Sequence, residues 1–272
     1  MRRVIDSQRC VETPEEGDGF LALESQRVLF INKQKIRRLI GNRKLGLTWL
    51  VIDPVITASI YLFVFIVIRS NPNPETIFIG IALYRIMQKT FLGGTQFLTD
   101  FSGGLKAERV SSSSISRSLI RYRILDNLLQ SIGVGAVLFF FFDSDILHIL
   151  FFVSMAQLVG FLFEGMGISL FLTMKRIPDL HNIFRYLFQL LFFASPCLYP
   201  MSITSGLHYR FNEYNPFTYF VESTRMVFGL DSTFNELSLY TMVFFGALLT
   251  YLSFFGFSRV DKIRWEVSRW GN

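Results

Sequence analysis

Apolar residues in this 272-residue chain come in blocks rather than in alternation, as in LFVFIVI at 62–68 and VLFFFF at 137–142. Unbroken blocks of this kind point to buried or lipid-facing helices, whereas a spanning barrel needs period-two alternation. A helix requires about 20 largely apolar residues to cross a ~30 Å hydrocarbon core, where it satisfies its own backbone polar groups. The blocks predict helices near 49–68, 75–92, 119–142, 146–174, 184–200 and 237–257. The second contains Arg85 and Lys89, and the third opens on Arg121, Arg123 and Asp126, so hydropathy alone does not fix the count. The predicted fold class is all-α integral membrane: six transmembrane helices, an N-terminal amphipathic interface helix, and a re-entrant outer element before the last helix.

Three connecting segments depart from simple loops. Residues 26–44 read QRVLFINKQKIRRLIGNRK, placing Leu29, Ile36, Leu39 and Ile40 on one helical face among basic residues. This interface helix either adheres to anionic lipid or acts as a lever between the membrane and a cytoplasmic partner. Residues 93–118 are the longest break between spans on that side, either a flexible connector or a docking loop, with Asp100 and the 105–110 stretch suggesting local structure. Residues 201–236 contain FTYFVESTRMVF, too apolar for a solvated loop and too short for a crossing. Such a segment reads as a re-entrant element at the mouth of a pathway, its second half started by Asn215 and Pro216.

Composition supports a lipid-solvated chain: 51 % hydrophobic, 18 % charged, mean hydropathy +0.39. The net charge of +6 matters through its placement. With both termini cytoplasmic, 22 of the 27 Lys and Arg fall on the cytoplasmic side, while Glu75, Asp143, Asp145, Glu213, Glu222, Asp231 and Glu236 collect outside. This is the positive-inside pattern, and bases spread over four juxtamembrane segments exclude a nucleic-acid partner. Residues 4–26 carry seven charged side chains and no apolar stretch, so no cleaved signal is expected. The expected organisation is a mobile cytoplasmic tail over 1–25, a transmembrane domain over 26–260, and a second cytoplasmic tail over 261–272.

Two cysteines and three scattered histidines offer no metal site, and no G-x-x-x-x-G-K-[ST] is present, so the chain is expected not to be an enzyme and to hold no cofactor. Ionisable residues within spans are costly and therefore functional candidates: Asp53, Arg85, Asp126 and Glu164. Asp53 precedes Pro54, which suggests a kink or the start of the first span. An Arg85–Asp126 ion pair is favoured over a direct substrate contact by Arg85. Among the aromatics, Tyr61, Tyr84, Phe192, Phe193 and Tyr199 are candidate conduit residues, because flat rings offer sugar C–H faces a sliding surface.

Three ordered fragments carry a family resemblance. KLGLTWLVIDP places Leu45, Gly46, Trp49 and Pro54 at the first span, with Asp53 before the proline; ASPCLYP places Ser195, Pro196, Tyr199 and Pro200 at the end of the fifth; NPFTYFVESTR contains Asn215, Pro216, Glu222 and Arg225. Together they resemble the membrane subunit of type-2 ABC exporters, in particular the branch exporting capsular polysaccharide and O-antigen. The charged N-terminal extension and the LIGNRK before Leu45 depart from that pattern.

The resemblance implies a homodimer in the bacterial inner membrane, bound to two copies of a separate ABC ATPase that binds ATP and Mg, with a channel along the dimer axis. The substrate it implies is a lipid-linked polysaccharide; a periplasmic co-polymerase or adaptor and an outer-membrane channel are further implied partners. Ile36, Asp100, Leu105, Lys106, Glu108 and Arg109 would contact the ATPase, and Asn215, Pro216, Glu222 and Arg225 would form the outer gate. Arg37, Arg38, Arg43 and Lys44 would meet phosphates at the entrance. The alternative within transport is another substrate: O-antigen, teichoic acid, lipid or drug. A membrane enzyme would need a convergent acid/base or metal cluster, and a secondary transporter an internal repeat with paired midplane ions.

Overall fold

The computed structural model describes residues 3–5, 10–12, 26, 29, 33, 48–69, 74–96, 112–177 and 179–260. From Thr48 on, the described chain is helical: α1 Thr48–Arg69, α2 Pro74–Thr95, α3 Ser112–Phe142, α4 Ile146–Arg176, α5 Asp179–Ala194, α6 Gly206–Glu213, α7 Pro216–Val227 and α8 Leu239–Ser258. Short 3₁₀ turns at Met201–Ile203 and Phe234–Glu236 flank the α6–α7 pair. Ahead of this body, β1 Arg3–Ile5 pairs antiparallel with β2 Cys10–Glu12. Gln26, Leu29 and Lys33, the described residues of the expected interface helix, are helical and exposed.

Six helices stand where six spans were expected. By length and composition, three among the described residues can cross a bilayer: Ile120–Phe142, Ile146–Phe171 and Leu239–Ser258. α1 runs unbroken past Asp53 and Pro54, so that pair neither starts nor ends the helix. The fifth expected span, 184–200, is corrected. Its helix begins at Asp179 and stops at Ala194, sixteen residues in all, or about 24 Å at 1.5 Å per residue. Pro196 and Pro200 have no N–H to continue it, and the chain leaves the helix at Ser195.

α2 is the axis of the bundle. Although it carries Arg85 and Lys89, every residue from Thr76 to Tyr84 is buried, and α1, α4, α5 and α7 all pack on it. α4 is its closest neighbour and also holds α3 and α8. Lipid tails give helices no hydrophobic drive to associate, so close backbone approach over small residues does that work. On α4, a Cβ at Gly167 would meet the Phe91 carbonyl and stand 3.0 Å from the Gly94 Cα of α2. One at Gly165 would stand 2.6 Å from the Ser253 Cα of α8, and one at Gly256 would meet the Gly165 carbonyl. Gly167→Val should therefore overpack the α2–α4 contact at a cost of about 1–3 kcal/mol, seen as a lower melting temperature in detergent. Gly246→Val, where a Cβ meets nothing within 4 Å, should melt like the parent.

Candidate functional site

The two ends of the bundle differ. The end of α2 at Thr95 and the start of α5 at Asp179 mark one end, the foot; the Asp143–Asp145 turn and the α6–α7 pair mark the other, the crown. α2 runs from crown to foot and joins two buried ionic networks, one near each end.

At the crown, α7 is inserted against α2 and α4 with Phe217, Thr218, Tyr219, Val221, Glu222, Thr224 and Arg225 buried. Its start follows from two residues. The Asn215 side chain accepts from the Phe217 N–H at 3.1 Å as an N-cap, and Pro216 occupies the first helical position, where no N–H is needed. Asn215 Nδ2 also donates to Ser195 Oγ at 2.7 Å, tying the α6–α7 turn to the end of α5.

Arg225, with no exposed surface, pairs with Glu222 at 2.8 Å and donates to the carbonyls of Tyr199 (3.1 Å), Thr76 (2.9 Å from Nη2) and Cys197 (3.4 Å). Glu222 in turn accepts from the Thr233 N–H at 2.9 Å. Three of the four residues expected at the gate, Asn215, Glu222 and Arg225, are thus tied by hydrogen bonds to the SPCLYP segment, with Pro216 starting the helix that carries them. Gly80 on α2 permits it, since a Cβ there would stand 2.8 Å from Arg225 Nη2 and nearer still to the Cys197 carbonyl. Gly80 and Thr76 gave no signal in the sequence. On the crown surface, Tyr199 Oη meets His208 Nε2 at 2.7 Å, and burial with Glu236, Glu213 and Glu222 nearby pushes the Tyr209 phenol upward.

Toward the foot, Asp126 of α3 is buried and lies 3.1 Å from Lys89 Nζ and 3.2 Å from Arg123 Nη1. Arg123 also grips Glu164 of α4 through Nε and through Nη2, the latter at 2.9 Å. The expected Arg85–Asp126 pair is therefore replaced by Lys89, one turn nearer the foot. Arg85 instead donates to Gln88 at 3.1 Å, with its guanidinium 5.4 Å from the Phe192 ring. Below, His181 of α5 meets Thr95 Oγ1 at 3.3 Å and Gln96 Nε2 at 3.0 Å, fastening the foot of α5 to the end of α2.

Between Thr76 and Phe91, the α2 residues that reach the surface are Arg85, Gln88 and Lys89; all the apolar ones are buried. α5 exposes Asn182, Arg185, Tyr186, Gln189 and Phe193 as one stripe at three- and four-residue spacing, and Ile183, Leu187 and Leu190 as a second, apolar one. This polar window on α2 and α5 was not anticipated, although the 182, 185, 189 periodicity was present to be read. The expected aromatic conduit residues are dispersed by comparison. Tyr84 is enclosed by Phe188, Phe192 and Phe217 and donates to the Phe188 carbonyl, so it belongs to the subunit's core. Phe192 is buried, while Phe193 faces outward at the end of the stripe, and Tyr199 lies at the crown. The side chain of Tyr61, and Ile36, Arg37, Arg38, Arg43, Lys44, Asp100, Leu105, Lys106, Glu108 and Arg109, lie outside the described residues.

The model of the ABC-2 type transporter family matches residues 26–229, from the start of the expected interface helix to just past the end of α7. The chain belongs to the ABC-2 type transporter family. No curated protein matches it. An ABC-2 type transporter chain is the membrane-embedded, multi-pass permease component of an ABC transporter, and in this family ATP hydrolysis generally resides in a separate ATPase subunit with which the permease works.

Proposed function

We propose that this chain is the channel-forming subunit of an ATP-driven exporter that moves a lipid-linked capsular polysaccharide across the bacterial inner membrane. It works as a homodimer with two ATPase subunits that bind ATP and Mg, both termini on the cytoplasmic side. The observation that carries the transport reading is the polar window. Arginine, lysine, glutamine and asparagine side chains at the surface of helices within the bilayer are costly against lipid and are at ease against a second copy or a water-filled path. The α2–α5 face is the wall of that path, with Phe193 and Tyr186 as its aromatic members.

The capsule assignment is supported by Asp53 before Pro54 and by the SPCLYP and Asn-Pro…Glu-x-x-Arg fragments, which the crown joins into one unit. That unit is the outer gate, hinged on Asn215 and Ser195. The connection between α2 and α3, shorter than the expected 93–118 because α2 runs to Thr95 and α3 starts at Ser112, receives the ATPase stroke together with the interface helix, and the His181 contact with Thr95 and Gln96 passes it from the end of α2 to α5. Arg37, Arg38, Arg43 and Lys44 meet the lipid-linked phosphates at the entrance. Further along the route, a periplasmic adaptor and an outer-membrane channel are the partners this reading expects.

The test is purification of the tagged chain in mild detergent, followed by inverted vesicles loaded with glycolipid. An ABC ATPase should co-purify, and ATP should drive the glycolipid inward. Absence of the ATPase, or ATP-driven movement of a drug or simple lipid with the glycolipid left behind, would overturn the assignment.

A further inference from the structure

Two polar side chains within the bilayer-length parts of α3 and α4 each hold a buried atom with no hydrogen-bond partner among the described residues: Asn127 Oδ1 and Gln157 Nε2. Asn127 keeps only 1 % of its surface. Both line one small cavity between α3, α4 and α8, together with Arg123 and Glu164. Helical period brings them there, since 123 and 127 are one turn apart on α3, and 157 and 164 two turns apart on α4. Gly160 fixes the direction of the Asn127 amide. A Cβ at Gly160 would run into Asn127 Nδ2 and lie 3.5 Å from Oδ1, so the nitrogen faces the α4 backbone and the oxygen is the farther atom.

An orphaned amide atom within a span is costly, because lipid tails offer it no partner. The charged groups of the cavity are paired: Arg123 is held by Glu164 and by Asp126. What remains is neutral, one acceptor on Asn127 and one donor on Gln157. A carbonyl or phosphate oxygen only accepts and would leave Asn127 unmet; an ammonium only donates and would leave Gln157 unmet. A hydroxyl oxygen does both. The cavity measures about 20 Å³, and one water needs roughly 10–15 Å³, so the space suits a single oxygen. Its rim is apolar: Ile124 and Phe161 reach the surface, and Phe257 stacks on Phe161 at 4.8 Å.

From this we infer a binding site for one hydroxyl group, which donates to Asn127 Oδ1 and accepts from Gln157 Nε2. The bound oxygen joins α3 to α4 and extends the Arg123–Glu164 network by one turn toward the crown. Two sources carry this chemistry: an internal water, and the hydroxyl of a neutral lipid alcohol such as a diacylglycerol, its chains leaving past Ile124 and Phe161. The site does not depend on what the chain exports.

The test is a cryo-electron-microscopy map of the assembled transporter in phosphatidylcholine nanodiscs, with and without dioctanoylglycerol, at a resolution that shows ordered water. Density for an oxygen within hydrogen-bond reach of both amides is expected. Isolated density in both maps supports the site and assigns water. Density that continues as a chain past Phe161 in the second map supports it and assigns the lipid alcohol. A direct Asn127–Gln157 hydrogen bond, or no density between the two, overturns the inference. Melting gives a second reading. Asn127→Leu and Gln157→Leu should each lower the melting temperature by about 3 °C, and the two together should cost no more than the larger single loss, because a bridge is lost only once. Losses that add would mark two independent side chains and overturn the shared site. Should neither variant assemble, the map of the parent decides alone.

Discussion

Replacing Arg225 by methionine should destabilise the crown by about 3–5 kcal/mol, the usual consequence of leaving one member of a buried pair uncompensated. The substitution removes donors to Thr76, Cys197 and Tyr199 and strands the fully buried Glu222 carboxylate. Those contacts hold α7 to α2 and to the segment after α5, so the loss should appear as a lower melting temperature and faster proteolysis between residues 201 and 236. Arg225→Lys should recover only a fraction, because an ammonium is a compact point charge where the guanidinium forks across three carbonyls. Arg225→Met combined with Glu222→Leu should melt above Arg225→Met alone, since no charge is then left unpaired. Parent-like melting of the single variant would show that the network does not hold the crown.

The second large effect is expected at the foot. Glu164→Ala leaves Arg123, with 9 % of its surface exposed, dependent on Asp126, which Lys89 already shares. A loss of about 3–5 kcal/mol should follow, measured by the same melting assay. Lys89→Met should cost less, because its side chain reaches the surface and Asp126 keeps Arg123. The reverse order would mean that Lys89, rather than the Arg123–Glu164 pair, anchors α3 to its neighbours.

The sequence made the helices legible because an unbroken apolar block is a local signal, and for Ile120–Phe142, Ile146–Phe171 and Leu239–Ser258 its length also suits a bilayer. Asn215 and Pro216 were legible for the same reason: capping is a matter between a residue and the next two N–H groups. Glu222 and Arg225, three apart on one helix, could be read as a unit. Their long-range partners could not, because backbone carbonyls of Thr76, Cys197 and Tyr199 carry no sequence signature. Asp126 was matched with Arg85 when Lys89 holds it. The depth of Asp126 depends on where α3 begins, and α3 starts at Ser112, seven residues before the expected position. A shift of one turn moves the partner by four residues. Gly80, Gly165 and Gly167 read as ordinary helix glycines until the neighbouring backbone is in place. The polar stripe of α5 was hidden by a boundary error: with the helix placed at 184–200, Asn182 lies outside it and the three-residue pattern is cut.

Arrangement also changes what the charged residues in α2 mean. In a helix exposed to lipid, Arg85 and Lys89 would be defects. In this helix, between Thr76 and Phe91, the apolar residues are inside the protein and Arg85, Gln88 and Lys89 reach the surface, the inverse of a lipid-facing helix.

The central claim, that the α2–α5 face lines an aqueous path, is tested most directly by thiol labelling. The two native cysteines, Cys10 and Cys197, are replaced by serine and alanine. Single cysteines are then placed at Gln189 on the wall and at Val243 on the exposed apolar face of α8. In the assembled transporter, a membrane-impermeant thiol reagent should modify Gln189→Cys and leave Val243→Cys unmodified, with glycolipid slowing the reaction at 189. Equal labelling at the two positions, or none at 189, would contradict it.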